Sequence, residues 1–348
     1  MNDLLREIPL HFIIGSGRSG STLLMMLLNN SNGLIATPEL KHIVYLQSKH
    51  PKNNGIANRE AIEKFLMAAK QSATNPLNHF DLEGVMEEFK EFPYQHYSEL
   101  SKKMHLALHQ KKPNEVLAIF DKNNLYSFYI KNLIELFPNA KFCICIRDYR
   151  AFVASNLKSQ HAFKEKKSAA FFAHVWNKYN RECQHWMEKH PEKFHVMKYE
   201  NFVQNPEISL KELLTFYGVN YDPNCFQYTK KIQPIIDQYK INDTIDPRIL
   251  KKIEDLAKPI HASAIDNWKS KLSSKEQRIV ETICSDFAQQ FGYTHELEIS
   301  KVQKLWIHLS SSLLKWRIDL FFQLNSIKLH HYLNVTRRLK HNKKRQYS

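Results

Sequence analysis

The sequence lacks most of the features that would mark it as a membrane-spanning, exported or metal-dependent protein. It has no uncharged apolar run long enough to cross a bilayer. Its first strand-like apolar run begins about ten residues from the N-terminus, which leaves no room for an apolar leader. The five cysteines, Cys143, Cys145, Cys183, Cys225 and Cys284, form no metal-like cluster. Cys143 and Cys145 lie two apart in an apolar run, as buried thiols do, and a reducing compartment fits. His105 and His109 stand four apart, but no H-E-x-x-H pattern or third ligand accompanies them, so they read as ordinary polar surface on one helix face. No internal repeat is present. These absences imply a chain on the cytoplasmic side, soluble or peripherally attached to a membrane.

Acidic residues are scarce at one end. The net charge is +15, but residues 301–348 hold eleven Lys/Arg against one acidic residue, a local +10, which leaves +5 for the first 300. Nucleic acid is therefore not the expected partner of the main body. The pattern implies a basic extension and one or more anion pockets.

Glycine is also scarce, eight in 348 residues, yet three fall at positions 15, 17 and 20. Phe12, Ile13 and Ile14 read as a buried strand, Gly15 to Thr22 as a turn, and Leu23 to Leu28 as a buried helix. A strand, a glycine-rich turn and a helix start make an anion cradle, because glycine admits tight backbone angles and the first helical amides point at the ligand. The spacing nearly meets G-x-x-x-x-G-K-[ST], with Gly15, Gly20 and Thr22 in place. Ser21 stands where lysine would reach the terminal phosphates of a nucleoside triphosphate, and Arg18 is the only cation in the turn.

Further strands are expected at 34–36, 116–120, 141–146 and 194–199, alternating with helices at 125–136, 168–190, 207–217 and 273–291. Ser273 and Glu276 form a capping-box pattern for the last of these. Residues 221–260, punctuated by Pro223, Pro234, Pro247 and Pro259, read as irregular. Residues 45–112 read as a helical, substrate-side insertion, with a loop at 51–55 and a helix at 61–69. The alternation predicts an α/β fold, an open, mainly parallel sheet flanked by helices. Glu39, Lys122, Arg147 and Tyr199 then fall along one sheet edge. Arg147 at a strand end and Ser155 two turns into the next helix could grip one phosphate from two sides.

Four stretches in this order resemble the sulfotransferase family that uses 3′-phosphoadenosine 5′-phosphosulfate (PAPS): 17–24, 137–156, 199–207 and 258–293. The closest subgroup is the one with protein-tyrosine sulfotransferases and their bacterial relatives. The resemblance implies a P-loop-containing catalytic domain over 1–298 and leaves 299–348 as an extension. It implies that Gly17, Arg18, Ser19, Gly20, Ser21 and Thr22 hold the 5′-phosphosulfate and that Arg147 and Ser155 hold the 3′-phosphate. Tyr199, Lys258, His261 and Ser263 are implied to help hold the nucleotide. Glu39 corresponds to the acceptor base, and Lys122 and Arg18 to the cations on the transferring sulfonate. Two positions depart from the family pattern: Tyr149 and Asn124 both stand where proline is usual.

The function so implied is transfer of a sulfonate to an acceptor hydroxyl of a carbohydrate, lipid, tyrosine or small alcohol, with 3′,5′-adenosine bisphosphate (PAP) as product and no metal required. The alternative is a magnesium-dependent kinase of a small metabolite. Ser21 in the lysine position and Arg147 at the end of strand 141–146 count against it. In the extension, Leu305, Leu309, Leu313, Trp316, Leu320, Leu324 and Ile327 recur at helical spacing. Three readings remain open: a helix packed on the body, an amphipathic helix on an anionic membrane aided by the basic residues from Arg337 to Arg345, or a nucleic-acid contact.

Overall fold

A computed structural model describes residues 2–40, 84, 96–159, 167–242 and 247–324. The expected loop at 51–55 and helix at 61–69 lie outside these residues, as do Ile327 and the basic residues 337–345.

The centre is a five-stranded parallel sheet in the order β2-β3-β1-β4-β5. The strands are β1 (Leu10–Gly15), β2 (Leu34–Pro38), β3 (Ala118–Lys122), β4 (Phe142–Ile146) and β5 (Phe194–Lys198). Pairing is parallel throughout, with Phe12 opposite Phe142 on one side of β1 and opposite Asp121 on the other. Every residue of β1 to β4 is buried. That is why these segments read as continuous apolar runs rather than as an alternation. The two faces still sort by the period of two. Ile13, Cys143 and Cys145 enter one core cluster with Leu24, Leu27 and Leu28, whereas Phe12, Ile14, Phe142 and Ile144 enter another with Tyr126 and Leu133. All five cysteines are buried and free.

Among the described residues the helices include α1 (Asn2–Glu7), α2 (Ser21–Asn29), α3 (Tyr97–Leu108), α4 (Ile130–Leu136), α5 (Tyr149–Ser159), α6 (Ala169–Lys189), α7 (Tyr199–Gln204) and α8 (Pro206–Tyr217). They continue with α9 (Thr229–Asn242), α10 (Pro247–Leu256), α11 (Trp268–Lys271), α12 (Ser274–Ala288) and α13 (Lys301–Leu324). The capping box at Ser273 and Glu276 is formed: the serine hydroxyl accepts from the glutamate amide and the glutamate carboxylate accepts from the serine amide. Trp176, buried at the centre of α6, packs on Tyr149 and Phe287 and fixes α5 and α12 to it.

The structure corrects four expectations. The described parts of 221–260 are mostly helical, a 3-10 segment at Pro223–Tyr228 followed by α9 and α10. Pro247 occupies the first turn of α10, where its missing amide costs nothing, and Pro234 is carried inside α9. β3 starts two residues later than expected, at Ala118, so Asp121 and Lys122 are its last residues. Leu117 before it is exposed. The helix expected at 125–136 is broken, with a 3-10 segment at Asn124–Phe128 preceding α4. His105 and His109 are not polar surface. Both rings meet the Thr37 hydroxyl, at 2.8 and 3.0 Å, and His105 is fully buried. Burial lowers the His109 pKa from 6.5 to about 4.

Candidate active site

The strand order sets the layout of the site. β1 is central, and the chain places β3 on one side of it and β4 on the other, which makes its carboxyl end the switch point of the sheet. Along that edge the side chains run Glu39, Lys122, the turn after β1, Arg147 and Tyr199. A cavity of about 890 Å³ lies there, lined by Ser16–Arg18, Gly20–Leu23, Glu39, Lys122, Arg147 and Tyr199, among others.

The turn is shaped by its glycines. Gly15 has φ of 132°, and a Cβ there would stand 2.2 Å from the Cys145 carbonyl oxygen. Gly17 and Gly20 have φ of 78° and 80°, and Arg18 joins them in the left-handed region at 54°. The Gly15 amide donates to the Ser127 hydroxyl. Gly20 caps α2 with no side-chain hydrogen bond, and the first turn of α2 contains no acidic residue. The first amides of this buried helix therefore present positive potential to the cavity without a carboxylate competing for it.

On the β4 side the polar groups brace one another. Arg147 donates to the Arg18 carbonyl at 3.1 Å and to the Ala264 carbonyl at 2.6 Å, and its guanidinium lies 4.2 Å from the Tyr199 ring centre. Trp176 donates to the Arg147 carbonyl. Arg18 donates through Nε to the Ser155 hydroxyl at 3.0 Å. Burial, and then the neighbouring Arg147, lower the Arg18 pKa. Arg18, Arg147 and Ser155 thus form one cluster. Behind it, the buried Arg150 holds Asp148, Glu281 and Glu296, and Glu200 accepts from the Asp148 amide and the Tyr293 hydroxyl. Tyr149, the departure from the usual proline, is fully buried at the start of α5.

On the β2–β3 side an ion pair faces the cavity. Lys122 Nζ lies 2.5 Å from Glu39 Oε1. The lysine is 3% exposed and the glutamate 43%. The strand register explains the meeting: Pro38 pairs with Lys122, and the Glu39 amide donates to the Lys122 carbonyl. Glu39 itself has φ of 48°, a left-handed conformation uncommon for a side chain of its type. The next residue holds it there. The Leu40 carbonyl accepts from the Tyr126 hydroxyl and from Asn123 Nδ2. Tyr126 also donates to Asp121, whose carboxyl is raised well above the usual range by complete burial. Below it His105 and His109 share Thr37, one residue from the strand's last position.

Of the residues expected from sequence, Gly17, Arg18, Gly20, Ser21, Thr22, Glu39, Lys122, Arg147, Ser155, Tyr199, Lys258 and His261 line this one cavity. Ser19 is buried and Ser263 exposed, and neither lines it. Ser263 instead shares a hydrogen bond with His261, and Lys258 pairs with Asp255 on the surface. Sequence reasoning missed Lys158, Lys251 and Lys271, which line the cavity too. The Lys271 pKa is lowered by burial and by the charges of Lys158 and Arg147, so these cations share a field. Lys158 was within reach of the pattern, since it lies three residues after Ser155 on α5. Asn124, the second departure, packs its side-chain amide 3.1 Å from where a Gly17 Cβ would stand.

The sheet and cavity agree with comparisons to known proteins. The structure is similar to the sulfotransferase domain from the Synechococcus PCC 7002 olefin synthase, with a TM-score of 0.53 at 20% identity, covering 83% of this chain and 96% of that one. It is similar to the sulfotransferase domain from the curacin biosynthetic pathway, with a TM-score of 0.51 at 20% identity, covering 84% and 99%. These likenesses show the fold. An uncharacterized protein of Aquifex aeolicus (strain VF5) is 20% identical over 307 residues, 84% of this chain. The chain spans about a third of that relative's length, 34%. A family model described as "Sulfotransferase family" matches residues 9–223, more than half of the sequence. With the glycine turn, the strand-end arginine and the strand-end glutamate all inside that match, the chain belongs to the sulfotransferase family.

Proposed function

We propose that this chain transfers a sulfonate group from PAPS to an acceptor hydroxyl, with the two halves of the sheet edge serving the two substrates. One observation carries the reading: the glycine turn lies between a cationic cluster, Arg18–Arg147–Ser155, and a Lys122–Glu39 pair, all facing one cavity. A donor with phosphates at both ends of a ribose needs two anion sites, and a transfer step needs a base beside a cation.

The residues present fit such a donor. Ser16 Oγ and Arg147 Nε are buried in the cavity wall with no hydrogen-bond partner among the described residues. Both suit anionic oxygens. The amides of the turn, with Ser21 and Thr22, would hold the 5′-phosphate, and Arg147, Ser155 and Arg18 the 3′-phosphate. Tyr199 and residues 258–263 would flank the nucleotide. The donor supplies an activated sulfonate. Glu39 takes the proton from the acceptor hydroxyl, and that oxygen forms the new bond to sulfur. Lys122, released from Glu39 as the carboxylate gains its proton, neutralises charge on the sulfonate and on the departing phosphate oxygen. Arg18 stands between the two anion sites and can serve either. None of these steps calls on a metal ion, and a kinase reading is not favoured, because Ser21 and Arg147 occupy the positions where a nucleoside triphosphate site needs lysine and an acidic residue.

The acceptor is a hydroxyl compound, carbohydrate, lipid, tyrosine or small alcohol. The division into a catalytic part, 1–298, and a basic extension, 299–348, goes with this reading. So does a cytoplasmic location with peripheral attachment to a membrane, supported by five buried free thiols and by the charge of the extension. The test is Glu39→Ala. Its turnover should fall about a thousandfold at saturating acceptor while PAP binds as before. Normal turnover in this variant would overturn the base assignment.

A further inference from the structure

The extension helix α13 has two apolar faces, and the body uses only one. At 100° per residue, Ile307, Ser311, Leu314, Ile318 and Phe322 share a face. Ser311 and Ile318 on it are buried, and Ile307 packs against the cluster formed by α5, α6 and α12. Phe322 stacks on Phe128 at 4.6 Å and meets Tyr179 at 5.8 Å, and Asp319 pairs with Lys178 of α6. This is not the stripe that the sequence advertises. Leu305, Leu309, Leu313 and Trp316, with Val302 and Trp306, lie on the opposite side, each 58–69% exposed.

We infer that this outward stripe is a contact face for an anionic bilayer surface. Six large apolar side chains on one continuous helical face, spaced i, i+3, i+4, i+7, i+11 and i+14, are more than a solvated helix carries singly. Two tryptophans, Trp306 and Trp316, stand within it, and indole suits the level of lipid headgroups. Charge selects this occupant over an apolar protein partner. Arg317 borders the stripe on one flank and Lys301 on the other, and residues 301–348 together carry +10. Such a face lies in the interface plane, with its apolar side in the headgroup–acyl boundary and its cations toward acidic lipid. None of the described helices is long and apolar enough to cross a membrane, so α13 lies on the surface rather than through it. The docked inner face fixes where the surface sits: at the C-terminal end of α13, Phe322 stacks on Phe128, the last residue of the 3-10 segment that follows β3.

The test uses the full chain in flotation with vesicles of phosphatidylcholine alone and of phosphatidylcholine with about one-third phosphatidylglycerol. The intact protein should float with the anionic vesicles. The variant Leu305→Ser/Leu309→Ser/Leu313→Ser should lose binding by about tenfold or more, with an unchanged thermal midpoint, since all three side chains are exposed. Independently of any variant, acyl-chain-brominated lipid should quench tryptophan fluorescence of the native protein, and Trp306→Phe/Trp316→Phe should remove that quenching. Three results would overturn the inference: no flotation of the intact chain, equal flotation of the serine variant, or a soluble dimer dissolved by the same substitutions in a protein that ignores vesicles.

Discussion

The two halves of the sheet edge are built differently. On the β4–β5 side two arginines are each held by several groups: Arg147 by two carbonyls, an indole donor on its own carbonyl and the Tyr199 ring, and Arg150 by three carboxylates. On the β2–β3 side the Lys122–Glu39 ion pair faces the cavity, with Glu39 in a left-handed conformation pinned through the carbonyl of its neighbour. The first arrangement suits a ligand that is the same in every turnover. On the proposed function the second concentrates the chemistry in two side chains, and the left-handed backbone at Glu39 is braced by buried groups that do not line the cavity: Tyr126, Asn123 and, beyond them, Thr37 with its two histidines. On that reading, rigidity and reactivity stand on opposite sides of one glycine turn.

Arg150→Met leaves buried Asp148 and Glu281 without their cation and should cost about 4 kcal/mol of stability. Urea unfolding measures it, and a loss below about 1 kcal/mol would mean that the brace is dispensable. Arg147→Ala should weaken PAP binding by about 2 kcal/mol, some thirtyfold, while turnover at saturating donor falls far less. An unchanged dissociation constant would remove Arg147 from the nucleotide site. On the reactive side Tyr126→Phe takes away the donor to Leu40 and Asp121. It should cost about 1 kcal/mol of stability and lower turnover several-fold, with PAP affinity intact. A variant that lost affinity instead would join the two halves that we separate.

The smallest effect is one of pH. His109, lowered by burial to about 4, stays neutral in the folded chain, whereas the unfolded chain takes up a proton near 6.5. Stability is thus complete above 6.5 and is lost as pH falls toward 4. The share from His109 between pH 7 and 6 is about 0.7 kcal/mol. His11 and His174, lowered to about 3 and about 4 mainly by burial, act in the same direction. Urea midpoints against pH should show the slope, and His109→Gln should reduce it.

Much of the rigid side was legible in sequence. Gly15, Gly17 and Gly20 signal the turn because left-handed backbone leaves few other residues, and Arg147 follows an unbroken apolar strand. That Glu39, Lys122, Arg147 and Tyr199 share one sheet edge followed once parallel pairing was inferred, but the order of the strands did not. What supports Glu39 was not legible, since it depends on a carbonyl and on a histidine pair whose spacing also suits a solvated face. Burial of His105 and His109 comes from α3 packing against β2, which no local pattern encodes. Pro234 and Pro247 misled for a related reason, because proline at a helix start and proline at a break look alike in sequence. In α13 the periodicity found an apolar stripe but not its direction. The shorter row from Ile307 to Phe322 makes the contact with the body instead.

On the proposed function, the cradle and the Arg18–Arg147–Ser155 cluster together bind a nucleotide phosphorylated at both the 3′ and the 5′ positions. Calorimetric titration with 3′,5′-adenosine bisphosphate, beside titration with magnesium-ATP, tests it most directly. The bisphosphate should bind tightly without metal. Binding of magnesium-ATP alone would contradict it and return the glycine turn to the kinase reading.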